Sequence, residues 1–482
     1  MTTVAHRGSE RPPLAADRLD GPLLRAAFVL VLGPVLALLD TTIVGVGIAA
    51  VARDLHGSLT TVQWVSAAYL LAISTVMPLS GWAAERFGAR RVWIGSVALF
   101  TAGSALCGLA WSMPALIAFR VVQGIGGGMI QPVGQATLVR AAGPQRLGRV
   151  LSLTLLPLTF APVLGPVAGG VLLRHLDWRW MFLVNVPVGV LTVLLAARFL
   201  PRDEPGPGKR GTGRTRGTGR TRETGRARGT ERARLDVRGL VLLSPGLAAL
   251  VYGLSESSAL VLAAGVLLVA GYAVHALRTP HPPLIDLRLF ARRGFAVASG
   301  NSFLQGATLY SSMLLLPLYF QTVRHAGALE AGLALTPQAL GTAAASLLSG
   351  RLADRVAPRP LILTGIALTL AGTVPFVLAG PPTWLLMAAL AVRGAGLGVA
   401  MAPGMRAIYA SVPRDQVQRA AGAVNTVNRV GGSLGTAVLA LVLQHALVHH
   451  AVPDAFSGAF GWAIGLSALT LLPAVLYPSK RG

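Results

Sequence analysis

The chain has little charge and even less acid. Only 12% of its 482 residues are charged, about half the share of a soluble globular domain, and 42 basic residues outnumber 18 acidic ones. A single cysteine, Cys107, excludes an internal disulfide and leaves the redox compartment unread. The sequence holds neither a His-Glu-x-x-His pair nor a Gly-x-x-x-x-Gly-Lys-Ser/Thr loop, so an intramembrane zinc hydrolase and an ATP-driven pump both lack their signatures. His445, His449 and His450 have ligand-like spacing, but with little acidic company they read as a solvated helix end. The expectation is a protein that is not an enzyme and holds no cofactor and no metal.

The sequence is instead rich in long apolar runs. A helix of about 20 apolar residues crosses the ~30 Å hydrocarbon core, and the runs predict fourteen such spans. They lie near 26–50, 62–84, 91–110, 114–139, 149–173, 179–200, 237–255, 259–278, 294–321, 331–350, 360–380, 383–404, 420–444 and 457–477. This describes an all-α polytopic membrane protein: a tail at 1–25, a six-helix bundle at 26–200, a linker at 201–235, two extra helices within 236–278, a loop at 279–293 and a second six-helix bundle at 294–478. The tail has no evident cleavage site, so the first span reads as an uncleaved anchor.

A net charge of +24 could suggest a nucleic-acid partner, but the placement of the charge argues against one. With the N-terminus cytoplasmic, 35 of the 42 basic residues fall on the inner side, which is the positive-inside pattern and predicts both termini in the cytoplasm. The linker, with repeated Arg-Thr-Gly and almost no apolar residue, cannot bury a core and is expected to be disordered. Contact of its arginines with anionic lipid is a second reading.

Asp40 stands inside the first apolar run, with Thr41 and Thr42 the other polar residues of that run. An intramembrane charge costs roughly 3 kcal/mol on insertion scales, so such a residue is paired, protonated or on an ion path. Arg120 and Gln123 in the fourth span reach similar depths: by helical rise Arg120 is roughly 9 Å and Gln123 and Asp40 roughly 14 Å from the outer end. Arg120 could modulate a proton on Asp40, or the two could be a static pair holding helices together. Gly81, Glu85 and Arg86 recur as Gly350, Asp354 and Arg355, and Gly165 and Gly169 recur as Gly431 and Gly435, at matching places in the two sixes. Duplicated bundles of this kind hold substrate between their halves near the membrane midplane.

Four stretches resemble the Major Facilitator Superfamily in its fourteen-helix drug:proton antiporter branch: Leu39-Asp40-Thr41-Thr42-Ile43-Val44, Gly81 to Arg91, Arg120 to Gly126, and Ala161 to Gly170. Trp178 to Pro187 is similar as well, and its two tryptophans are expected in an interfacial belt. The sequence departs from the branch in having Gly45 for Asn, Glu85 for Asp and Ala161 for Gly. The resemblance implies a proton-coupled exporter of small lipophilic drugs, antibiotics or metabolites, working by alternating access in a bacterial inner membrane. It also implies proton coupling by Asp40 and Arg120, and a conformational latch at Gly81, Glu85, Arg86, Gly88, Arg90, Arg91, Asp354 and Arg355. The antiporter motif falls on Gly165, Pro166, Gly169 and Gly170, where small residues also allow close helix approach and Pro166 bends the span.

Substrate-pocket candidates are Gln123, Asn301, Gln305, Tyr310, Asn425, Asn428 and Arg429, with Trp64, Tyr69, Phe303 and Met313 as apolar wall. Each could equally serve helix packing. Asp40 is the one clear acid in a helix interior, which predicts a preference for neutral, zwitterionic, monocationic or anionic lipophiles over bulky dications. The expected partners are a small lipophilic substrate, protons and the bilayer, with the chain acting as a monomer and no nucleic acid involved. Proton-coupled uptake by symport is the second reading, and a non-transporting sensor the third.

Overall fold

The computed structural model describes residues 20–56, 59–201, 235–255, 258–279, 283–353, 356–378, 380–413 and 416–476. The N-terminal tail to residue 19, linker residues 202–234, and the expected latch residues Asp354 and Arg355 lie outside the described residues. Among the described residues there is helix and no strand. Hydrocarbon offers no hydrogen-bond partner, so a spanning segment must satisfy its backbone internally, and a single chain of apolar runs does this by forming helices.

The first half comprises α1 (Gly21–Asp54), α2 (Leu59–Val76), α3 (Ser80–Phe87), α4 (Ala89–Gly108), α5 (Met113–His175), α6 (Trp180–Leu183) and α7 (Asn185–Phe199). Next come α8 (Val237–Ser255) and α9 (Ala259–Arg278), packed on each other, with Ser244 of α8 donating to the Thr75 carbonyl of α2 at 2.6 Å. The second half holds α10 (Arg293–Thr322), α11 (Ala328–Ala334), α12 (Thr336–Ala353), α13 (Pro358–Ala371), α14 (Thr383–Ala410), α15 (Val417–His449), α16 (Val452–Leu469) and α17 (Leu471–Val475).

Among the described residues, twelve helices are long and apolar enough to cross a membrane, and the chain is a multi-pass membrane protein. Each of the twelve coincides with one of the fourteen runs read from sequence. The other two runs fall on α8, whose apolar segment Val237–Leu250 is shorter, and on the second arm of α5. That helix of 63 residues turns at Gly143, where φ is 68° and ψ 171°. This left-handed φ is cheap for glycine, which lacks a Cβ.

The apolar packing differs between the two ends of the bundle. At the end where α1 begins, one cluster joins both halves, from Leu23, Ala84, Leu147 and Leu200 to Phe295, Tyr409 and Val417. At the opposite end each half has its own cluster. Ile43, Val51, Val62, Met113 and Phe182 form one, and Tyr319, Phe376, Phe456 and Phe460 form the other, with Tyr319 at the centre of several edge-on ring contacts. The halves also meet where α12 runs along α5.

Candidate functional site

Asp40 is fully buried at the centre of the first half. Its Oδ2 accepts from Arg120 Nη1 at 2.6 Å, and its Oδ1 accepts from the amides of Gln123 and Asn185, each at 2.9 Å. Arg120 is 1% exposed. Its Nε donates to the Val65 carbonyl at 2.9 Å, its Nη1 also reaches Gln123 Oε1 at 2.7 Å, and its guanidinium lies 4.0 Å from the centre of the Tyr69 ring. Ser104 completes the cluster by accepting from Gln123 Nε2 at 2.6 Å. Four helices, α1, α4, α5 and α7, and the α2 carbonyl thus hold one ion pair away from solvent. Breaking such a pair by removing one charge costs about 3–5 kcal/mol, because the other is left buried and uncompensated.

Tyr69 and Thr41 connect this cluster to a cavity of about 310 Å³ between the halves. Tyr69 is sequestered by Arg120 on one ring face and also lines the cavity, as does Thr41 beside Asp40. The opposite wall carries Asn301, Gln305, Tyr310, Asn428 and Arg429. Asn425, also on the wall, donates to Gln135 Oε1 across the gap at 2.9 Å. An apolar cavity with a few convergent amides is what a small-molecule site requires.

The antiporter-motif residues border the same cluster. A Cβ on Gly165 would fall 1.9 Å from Thr42 Oγ1 and 2.5 Å from its Cβ, so only a hydrogen there lets α5 lie this close to α1, two residues from Asp40. Gly169 is buried, and Gly170 has open space around it. Pro166 lies within the helical run of α5.

The two halves are also bonded at the end where α1 begins. Arg419 of α15 gives Glu85 of α3 two parallel bonds, Nε to Oε1 at 2.7 Å and Nη2 to Oε2 at 2.5 Å. Gly81 lets α3 sit on that arginine, since a Cβ would lie 3.1 Å from the Arg419 Cα. Gly88 turns the chain at φ 92°, and Arg90 donates to the Ala197 carbonyl at 2.5 Å. Arg86 and Arg91 are exposed.

A partly exposed pair of this kind contributes about 1 kcal/mol, or roughly a 5-fold change in a two-state ratio. Glu85→Gln is therefore expected to raise the alkylation rate of a Met405→Cys probe in the cavity about 5-fold, for an impermeant maleimide added from the face that holds Glu85. Adding Arg419→Gln to that variant should change the rate little further, because the interaction is already lost.

A model of the Major Facilitator Superfamily matches residues 30–278 and 298–482. The chain belongs to the Major Facilitator Superfamily. The transporter is 39% identical over 448 residues to the multidrug resistance protein B homolog of Mycobacterium tuberculosis (strain H37Rv), covering 90% of this chain and 78% of that protein. It is 30% identical over 500 residues to the methylenomycin A resistance protein of Streptomyces coelicolor, covering 100% of this chain and 98% of the other. Among solved structures it is similar in fold to the human organic anion transporter MFSD10, with a TM-score of 0.63, 18% identity and coverage of 95% and 100% of the two chains. The xylose transporter XylE from E. coli gives a TM-score of 0.60 at 13% identity, over 96% and 100%.

Several sequence expectations are placed differently in the transporter. Gln123 is not on the cavity wall; it is wholly buried against Asp40 and Arg120, where its amide can bond both charges at once. Trp64 is 38% exposed and stacks on Tyr252 at 5.3 Å, and Phe303 is likewise not part of the wall, whereas Tyr69 and Met313 are. Trp178 does not face outward. It is buried, with its indole N–H donating to Asp54 Oδ2 at 2.8 Å, while Trp180 stays exposed. That bond, with Arg179 beside it, outweighs partial desolvation and holds the Asp54 carboxyl below its ordinary range.

Besides Arg419, two functional features escaped the sequence reading. Asn185 and Ser104 both serve the Asp40 cluster, and the signal for Asn185 was an amide at the head of an apolar run. Arg393 of α14 is buried and bonds Gln338 Oε1 at 2.8 Å and the Ser312 hydroxyl. A basic residue in mid-span was its signal.

Proposed function

We propose that the transporter exports small lipophilic compounds in exchange for protons, with fourteen spans, both termini in the cytoplasm, and residence in the bacterial cytoplasmic membrane. The observation that carries this reading is the sealed Asp40–Arg120 pair joined through Tyr69 and Thr41 to a cavity between two halves. A proton arriving on Asp40 competes with Arg120 for the carboxylate. Release of Arg120 frees its stack on Tyr69, and Tyr69 is part of the cavity wall. Substrate in the cavity and a proton on Asp40 thus both act on Tyr69.

In this topology the Glu85–Arg419 pair and the cluster shared by both halves lie on the cytoplasmic side. The conformation is one in which that side is closed. Opening it requires breaking the Glu85–Arg419 bonds and parting the shared cluster, and the separate clusters at the other end would then approach. The relatives named for drug and antibiotic resistance support export as the direction.

Cells producing the transporter should retain less of a transported lipophile than control cells, and a protonophore should remove the difference. Higher retention would support uptake by symport instead, and equal retention for every compound, with binding intact, would leave a sensor.

A further inference from the structure

Among the described residues of the cavity wall there is no aspartate and no glutamate. Arg429 of α15 is there, half-buried, and it makes no hydrogen bond or ion pair with any described residue. Arg120 differs from it in every respect, since that guanidinium has a carboxylate, a carbonyl, an amide and a ring. A second guanidinium, Arg393, stands behind the same wall and is bonded only to neutral groups, Gln338 and Ser312, both of which line the cavity. Arg120 and Asp40 offset one another across the thin layer of Tyr69. The field inside the cavity is therefore set by two cations without a facing acid.

We propose that the substrate is a lipophilic anion whose acidic group pairs with Arg429 in the central cavity. This rests on the reading of the protein as a transporter and names the charge class of what it carries. A guanidinium in a low-dielectric, apolar-walled site attracts an anion far more strongly than the same group in water, and its planar fork fits a carboxylate with two parallel bonds. The apolar remainder has matching wall in Met313, Leu309, Leu316 and Ile366. A cation of the same shape meets repulsion from Arg429 and Arg393 and has no acid on the described wall to offset it. The direction of transport is consistent too, because a membrane potential negative inside drives an anion outward.

The test uses the full-length transporter in lipid nanodiscs and three probes with one ring system: 2-naphthoate, 2-naphthalenemethanol and 2-naphthylmethylammonium. Binding is followed calorimetrically. Naphthoate is expected to bind about 10-fold more tightly than the alcohol, and the ammonium most weakly. Arg429→Gln should bring naphthoate to within about 2-fold of the alcohol, and Arg429→Lys should retain part of the preference. Unfolding temperatures show that both variants are folded, and the alcohol provides the charge-independent baseline.

Naphthoate that binds no better than the ammonium in the wild type, or not at all, overturns the proposal, as does a preference that survives Arg429→Gln. Binding does not depend on direction or on proton coupling. Anion binding without export would therefore contradict the transport reading alone, and export of compounds irrespective of charge would contradict this proposal alone.

Discussion

Asp40→Asn is expected to abolish uphill efflux while leaving substrate exchange in place. If Asp40 carries the proton, an amide at that position removes the titrating group but retains its shape and one acceptor. Loss of a proton-transfer group costs about 100-fold or more, and gradient-driven transport should fall by at least that. Counterflow, in which labelled compound exchanges for unlabelled compound at equal pH, requires no net proton movement and should stay within about 3-fold of wild type.

The substitution also leaves Arg120 without its charge partner, at a cost of about 3–5 kcal/mol. Production level and unfolding temperature therefore accompany the assay. Asp40→Glu is the second variant, keeping the carboxyl one methylene farther out. It should recover part of the driven transport. Driven efflux by Asp40→Asn equal to that of wild type would remove Asp40 from the coupling path, and loss of counterflow in both variants would identify the Asp40–Arg120 pair as a structural strut.

Gly165→Val is expected to destabilise the transporter strongly. A Cβ at this position meets the Thr42 Cβ at 2.5 Å, well inside contact distance, and valine adds two methyls to that clash. Thr42 cannot rotate away cheaply. It is β-branched, and its hydroxyl is bonded to the Leu38 and Leu39 carbonyls at 3.1 and 3.0 Å. The strain must then move α1 away from α5, at a cost of about 3 kcal/mol or more. Asp40, two residues earlier on α1, would shift with it, so transport should fall together with unfolding temperature. Gly165→Ala should do the same in milder form, and combining it with Thr42→Gly should recover more than half of the loss, since the two changes share one contact. An unchanged unfolding temperature in Gly165→Val would show that the seam is looser than this packing requires.

The spans could be read from sequence because the bilayer imposes a length and a polarity on each of them. Twelve of the fourteen runs recur as helices able to cross a membrane among the described residues, and the remaining two depend on how a long helix is divided at Gly143 and on how far α8 extends. Asp40 and Arg120 were also legible, since a charge in an apolar run has few permitted surroundings and helical rise alone gives its depth.

What sequence could not supply was azimuth, the direction each side chain faces around its helix. Gln123 lies at the depth of Asp40, and its depth suits a pocket as well as a buried cluster; only packing against α4 decides between them. Trp178 was read by its residue type, but Asp54 on another helix end captures its indole. Arg419 escaped because it belongs to no recurring motif. Its role comes from meeting Glu85, 334 positions away in the chain.

The most direct test of proton exchange is a pH measurement in inverted vesicles with an imposed gradient, acid inside, to which candidate compounds are added one at a time. The account predicts compound-dependent collapse of the gradient with the wild-type transporter and none with Asp40→Asn. Equal collapse with both proteins would place coupling elsewhere, and a stable gradient with every compound that the wild type demonstrably binds would contradict antiport itself.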